Sequence, residues 1–208
     1  MLIKSARGFA IVELLVIIVV IGILASLTVV AYSGIQERAR NANRLELARQ
    51  VGEVVKLAAI DSTVSQMTAT MNSSGGWYNA CLGTDYVDVN SDGRGDCGVY
   101  LGNPYTSEAP ALNTLLSKYA ALPSMSSYPV LAIDDNIVSG PFLGTSWTDG
   151  KTMLVMEYSL GGEGRDCTLS PLVYYTSTSG DTTMTPTSTP KYSKSEFGVT
   201  ECVVAIHS

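Results

Sequence analysis

The chain has 208 residues, with 13 Lys and Arg against 19 Asp and Glu, a formal charge of -6 and 46% apolar residues. That acidic balance excludes broad phosphate-driven binding of nucleic acid, which needs a basic face, and the length suits one spanning helix with one compact domain. Only 15% of residues are charged while the chain holds 19 Gly and 11 Tyr and many Ser and Thr, a balance that fits an exported protein better than a cytosolic one.

Residues 1–8, MLIKSARG, carry Lys4 and Arg7 and end in Gly8. Residues 9–32 then form an apolar run interrupted by one acid, Glu13. At helical rise this run reaches about 36 Å, more than the ~30 Å hydrocarbon core of a bilayer, so it is predicted to span a membrane. A secretory signal places its cleavage site after the apolar region, whereas here the basic segment and its small terminal residue precede it. A carboxylate inside such a helix costs about 2.5–3.5 kcal/mol on the mildest scale and calls for a partner. Cleavage after Gly8 would supply one, the new α-amino group of Phe9.

This order of features, a short basic leader ending in Gly8, then Phe9, Glu13 and Leu14 and an unbroken apolar helix, closely resembles the type IV prepilin family. The resemblance covers about the first third of the chain. It implies an α+β fold of lollipop form, with a long N-terminal helix packed on a mostly antiparallel β-sheet. It also implies a prepilin peptidase that cuts after Gly8 and methylates the Phe9 amine, and a Glu13 that pairs with the amino terminus of a neighbouring subunit. The implied product is a structural, non-enzymatic subunit of a cell-surface type IV pilus serving adhesion, motility or DNA uptake. Its partners would be other pilin subunits and the inner-membrane assembly machinery, with the subunit held in the cytoplasmic membrane beforehand and binding no nucleic acid directly. Val30 stands where the family usually has proline, leaving Gly22 and Gly34 as weaker helix breakers. Two other functions fit the same residues: a pseudopilin of a type II secretion system, and a membrane-anchored extracellular binding domain with an uncut leader.

Counting Lys and Arg alone, Arg38, Arg40, Arg44 and Arg49 after the span outnumber Lys4 and Arg7 before it and would place the C-terminal part inside. Four cysteines argue the other way, since disulfides persist in oxidising compartments. With the leader, they lead us to expect an external domain.

The sequence divides into a leader at 1–8, a long helix at 9–67 and a globular domain at 68–208. Past residue 32 the helix becomes amphipathic: Ile35, Ala39, Ala42, Leu45, Val51, Val54 or Val55 and Ala58 recur at spacings of three and four, with Arg38, Arg44, Arg49, Glu53 and Lys56 on other faces. The stripe is predicted to pack on the domain's own sheet. Residues 68–76 end in SSGG and read as a loop, with Trp77 and Tyr78 anchoring its far end. The triplet Asn72, Ser73, Ser74 matches a glycosylation sequon, but such triplets arise by chance in a Ser-rich segment, and it is read here as loop composition.

Residues 81–97, CLGTDYVDVNSDGRGDC, are the second informative stretch. Asp88, Asn90 and Asp92 alternate, Gly93 permits a sharp turn and Asp96 follows, a spacing that lets oxygens converge on calcium if the backbone curls. Arg94 would contribute its carbonyl. The pattern resembles the start of EF-hand loops and, more closely, thrombospondin type 3 loops. Val99 replaces the bidentate glutamate, which excludes a full EF-hand. Four acids in so short a segment repel one another without a cation; a metal-free Asp/Asn/Gly turn is the alternative. Cys81 and Cys97 are placed to close this loop, which would leave Cys167 with Cys202, although spacing leaves the other two connectivities open.

A short helix is predicted at 107–122, with Leu112, Leu115, Leu116 and Tyr119 on its apolar face. Strands are predicted at 128–133, 152–158, 169–176 and 199–206, and an exposed Ser/Thr/Pro-rich loop at 176–195. The resemblance makes the segment from Cys167 to Cys202 a variable contact surface. No nucleophile elbow, P-loop or zinc-binding helix occurs. The only histidine, His207, is expected at a frayed end.

Overall fold

The computed structural model describes residues 11–74, 77–100, 103–133, 136–148, 151–162, 164, 165, 167, 169, 173–177, 184–187, 192–194 and 199–207. Residues 1–8, the expected leader, and Phe9 lie outside these. The chain is α+β, with two units, Met1–Ala39 and Arg40–Ser208.

Helix α1 (Ile11–Asp61) is 51 residues long and helical through Gly22, Val30 and Gly34. In the first unit the large apolar side chains described, from Ile11 and Val12 through Leu24 and Leu27 to Val29, Tyr32 and Ile35, are exposed. This part is long and apolar enough to cross a membrane. Two of its hydroxyls bond back to the helix: Ser26 Oγ donates to the Ile23 carbonyl at 2.7 Å and Thr28 Oγ1 to that of Ala25 at 2.8 Å, so neither needs water.

In the second unit α1 buries Leu47, Ala48, Val51, Val54, Val55, Ala58 and Ala59. The stripe therefore begins later than periodicity suggests, since Ala42 is exposed and Leu45 half-buried. Arg44, expected on an outer face, is 1% exposed. Its Nε donates to the Pro129 carbonyl at 2.7 Å, Nη1 to Asn41 Oδ1 at 2.6 Å and Nη2 to the Val130 carbonyl at 3.3 Å. These bonds offset the desolvation of a buried cation. Asn41 also exchanges two bonds with Gly161, its Nδ2 donating to the carbonyl and its Oδ1 accepting from the N–H, both at 2.8 Å. On the exposed side Arg49 bridges Glu46 and Glu53 at 2.6 and 2.7 Å; the Arg49 guanidinium holds the Glu46 carboxyl down at about 2.

After α1 the chain breaks at residues 62 and 63 and resumes as α2 (Val64–Thr68). Thr63 and Gln66 form a reciprocal capping box there, a device that satisfies two otherwise free N–H groups.

The β-structure is antiparallel throughout its ladders but lies in two sheets where one was expected. Strands β1 (Asn72–Ser74), β2 (Trp77–Cys81), β7 (Phe142–Thr148), β8 (Lys151–Gly161), β9 (Val173–Ser177), β10 (Met184–Thr187), β11 (Tyr192–Lys194) and β12 (Val199–His207) form the first. Its order is β1-β2-β7-β8-β12-β9-β10, with β11 also paired to β12. Strands β3 (Asp96–Tyr100), β4 (Asn103–Ser107), β5 (Leu131–Ile133) and β6 (Asn136–Val138) form the second, in the order β4-β3-β6-β5. The predicted loop at 68–76 thus contains β1, and that at 176–195 contains β10 and β11 among its described residues. Pro186 sits in β10, at the edge of the order, the position in a sheet where proline is tolerated. His207 stands in the β12 ladder opposite Leu154, not at a frayed end.

The predicted helix at 107–122 shortens to α3 (Pro110–Leu116), with Pro at its first position and Ser107 drawn into β4. Its apolar face is as expected: Leu112 and Leu116 are buried, Leu115 and Tyr119 partly so. One core unites the α1 stripe with Met67, Leu112, Leu116, Leu143, Leu154, Met156, Tyr158, Leu160 and Val204, each large apolar side chain contributing about 1.5–3 kcal/mol.

Candidate functional site

Two places in the chain carry chemistry beyond packing. The first is Glu13, the only charged residue from Ile11 to Gln36. It lies in the first described turn of α1 between exposed Val12, Leu14, Val16 and Ile17. Gly8 and Phe9, the residues of the expected processing step and of the expected Glu13 pairing, lie outside the described residues.

The second is the loop between β2 and β3. Cys81 and Cys97 are bonded, with Cα atoms 5.6 Å apart, and so are Cys167 and Cys202, at 5.7 Å. Of the connectivities left open by spacing, the loop-closing one is present. Because Cys81 belongs to β2 and Cys97 to β3, the first bond ties one sheet to the other.

Inside that loop the acids bind the loop's own backbone. Asp88 Oδ2 accepts from the Gly93 N–H at 2.8 Å and Oδ1 from the Asp92 N–H at 3.2 Å, which Asn90 Oδ1 shares at 3.2 Å. Asp92 Oδ1 accepts from the Arg94 N–H at 2.9 Å. Gly93, at φ +84°, supplies the left-handed turn, which costs glycine nothing. Asp96 is 1% exposed and turns to other partners: Oδ2 accepts from the Val89 N–H at 2.9 Å and Oδ1 from the Ser107 hydroxyl at 2.6 Å.

A calcium ion takes six to eight oxygens and brings two positive charges. The side chains of Asp88 and Asn90 converge on the Asp92 amide, but the Arg94 guanidinium already lies against the Asp92 carboxylate, with Nη2 2.8 Å from Oδ2. That contact holds the Asp92 carboxyl below its usual range. Among the described residues no three His, Cys, Asp or Glu side chains are grouped to hold a metal. The expected ligand set of Asp88, Asn90, Asp92, Arg94 and Asp96 is thus not assembled as a cage: Asp96 is spent on Ser107 and Val89, and a fixed cation stands at Asp92. In this arrangement the residues do not fit the ion.

The supports of this loop were not visible in the sequence. Tyr86 is buried, and its Oη donates to the Leu82 carbonyl at 2.6 Å. A β-carbon on Gly95 would fall 2.5 Å from Tyr86 Cβ, and one on Gly140 would strike the ring. Glu108 joins both ends of the loop, its N–H donating to the Gly95 carbonyl at 2.7 Å and its Oε1 accepting from the Tyr86 N–H at 3.3 Å. Burial pushes the Glu108 carboxyl up, and Asp85 and Asp96 add to this. The side-chain amide of Asn72, the sequon residue, donates to the Ser107 carbonyl at 3.0 Å and accepts from Arg94 Nη1 at 3.3 Å. Such an amide is engaged in the fold, not presented for a glycan.

Compared with known proteins, the chain matches no family model, no curated protein and no solved structure at a significant level.

Proposed function

We propose that this chain is a structural subunit of a type IV pilus-like filament, made as a membrane-held precursor and polymerised through the first part of α1. One observation carries the reading. From Ile11 to Ile35 the helix exposes apolar side chains on every face, with Glu13 as its only charge, while the rest of the chain has a separate core of its own. A helix apolar all round requires lipid or other helices. Before assembly lipid covers it; afterwards the helices of sister subunits do. A buried acid that is tolerable only when paired then sets the register between neighbours, and the Phe9 amine freed by cleavage after Gly8 is its partner. Residues of the second unit form the outer surface of the filament, and no catalytic step is assigned to them.

The test is mass spectrometry of the N-terminal peptide from protein purified out of its native cells, joined to imaging of those cells with Glu13→Ala. Cleavage after Gly8 with a methyl group on Phe9, and loss of filaments while the variant subunit stays in the membrane, are the expected results. Cleavage without any long filament in the wild type would point to a short pseudopilin assembly. An intact leader with an indifferent Glu13→Ala would overturn the reading in favour of an anchored binding domain.

A further inference from the structure

We infer that Arg94, in place of a bound metal, is the cation that holds the 88–96 loop closed. Its guanidinium reaches two partners at once, Asp92 Oδ2 at 2.8 Å through Nη2 and Asn72 Oδ1 at 3.3 Å through Nη1. From there the connections form a circuit. Asn72 Nδ2 donates to the Ser107 carbonyl, the Ser107 hydroxyl donates to Asp96, and Asp96 accepts from the Val89 N–H on the far limb of the loop. Arg94 thus fastens the acidic turn to β1, and β1 passes that hold through β4 to the buried carboxylate where the loop ends.

Electrostatics explains why a cation belongs there. Asp88, Asp92 and Asp96 fall within nine residues, and all three raise or sustain the positive charge of Arg94, Asp92 most strongly and then Asp96 and Asp88. A guanidinium is permanently charged and presents a planar fork of donors, so it offsets one of the three negative charges without any metal. A divalent ion would have to displace it from Asp92. The loop therefore keeps its shape without metal, whatever the role of the apolar helix.

The experiment is hydrogen exchange of the loop amides in the full chain in detergent, in calcium chloride and in EDTA, for wild type, Arg94→Gln, Asp92→Asn and the double variant. In the wild type we expect the Asp92, Gly93 and Arg94 amides to exchange at the same rate in both solutions. Arg94→Gln should speed them about two- to fivefold, the size an exposed ion pair sustains, leaving β8 and β12 amides unchanged. The double variant should be no faster than the faster single one, since both remove the same pair. Slower wild-type exchange in calcium, wild-type rates in Arg94→Gln, or additive effects of the two substitutions would each overturn the assignment.

Discussion

Glu108 supports the loop from outside it, with a carboxyl whose charge state burial perturbs. Its carboxyl is raised chiefly by burial, so the folded chain binds this proton more tightly than the unfolded chain does. The favourable term is complete below the unfolded value of about 4.3 and is lost as pH rises through the folded one. At neutral pH the wild type carries a penalty that an amide does not, while Gln retains an acceptor for the Tyr86 N–H. We expect Glu108→Gln to melt higher than wild type at pH 7, by at most about 2–4 °C for a partly exposed group in a chain of this size. The gap should close below about pH 4, where both states of the wild type are protonated. Circular dichroism at the two pH values decides it; a lower melting point for the variant at pH 7 would refute the sign. Arg44 shows what local reading missed at this scale. It stands four residues before Ala48 and seven before Val51, on the buried stripe, but its polarity suggested solvent. The carbonyls that make burial tolerable lie 85 and 86 residues away, where no local pattern reaches.

At the scale of elements, the junction between α1 and α2 depends on Thr63. Its hydroxyl accepts the Gln66 N–H at 3.2 Å and its own N–H donates to Gln66 Oε1 at 2.8 Å. Below this cap Met67 is fully buried. Thr63→Ala should cost about 1 kcal/mol, read as a lower urea midpoint with unchanged slope; an unchanged midpoint would show that Met67 alone seats α2. The elements most fully legible in the sequence had long, uniform patterns: α1 from its apolar run and stripe, and β8 and β12 from dense Val, Leu and Met or Ile; α3, β5 and β9 were also placed, but with bounds that the structure shortens or shifts. Strands β2 and β7 were missed because WYNAC and FLGTSWT mix small and polar residues with aromatics, and their pairing, Cys81 with Phe142 and Ala80 with Leu143, is distant in sequence. The β3–β4 hairpin was hidden by the Asp-rich loop before it and by Pro104. The acidic spacing at 88–96 was correctly seen as a curled turn, but Ser107, Asn72 and Glu108, which close it, belong to other strands and loops.

For the whole molecule, the bond between Cys81 and Cys97 joins two sheets that also meet at an isolated backbone bridge between Cys81 and Glu108. Replacing both cysteines with serine should cost about 3 kcal/mol for a loop of this length. The loss should fall unevenly: amides of β3 and β6 should exchange faster, while those pairing β8 with β12 should keep most of their protection, as expected of a locally released unit. Uniform acceleration across both sheets would show that they unfold as one. The order of the first sheet carries a different implication, one of timing. Strand β12 follows every other strand of the sheet in the chain but lies inside it, pairing with β8 on one edge and with β11 and then β9 on the other. A chain delivered N-terminus first therefore holds β8 and β9 with open edges until residue 199 and beyond emerge. Until then the first sheet lacks the ladders that join β8 to β9, and the pairing of β12 is the step that unites its two halves.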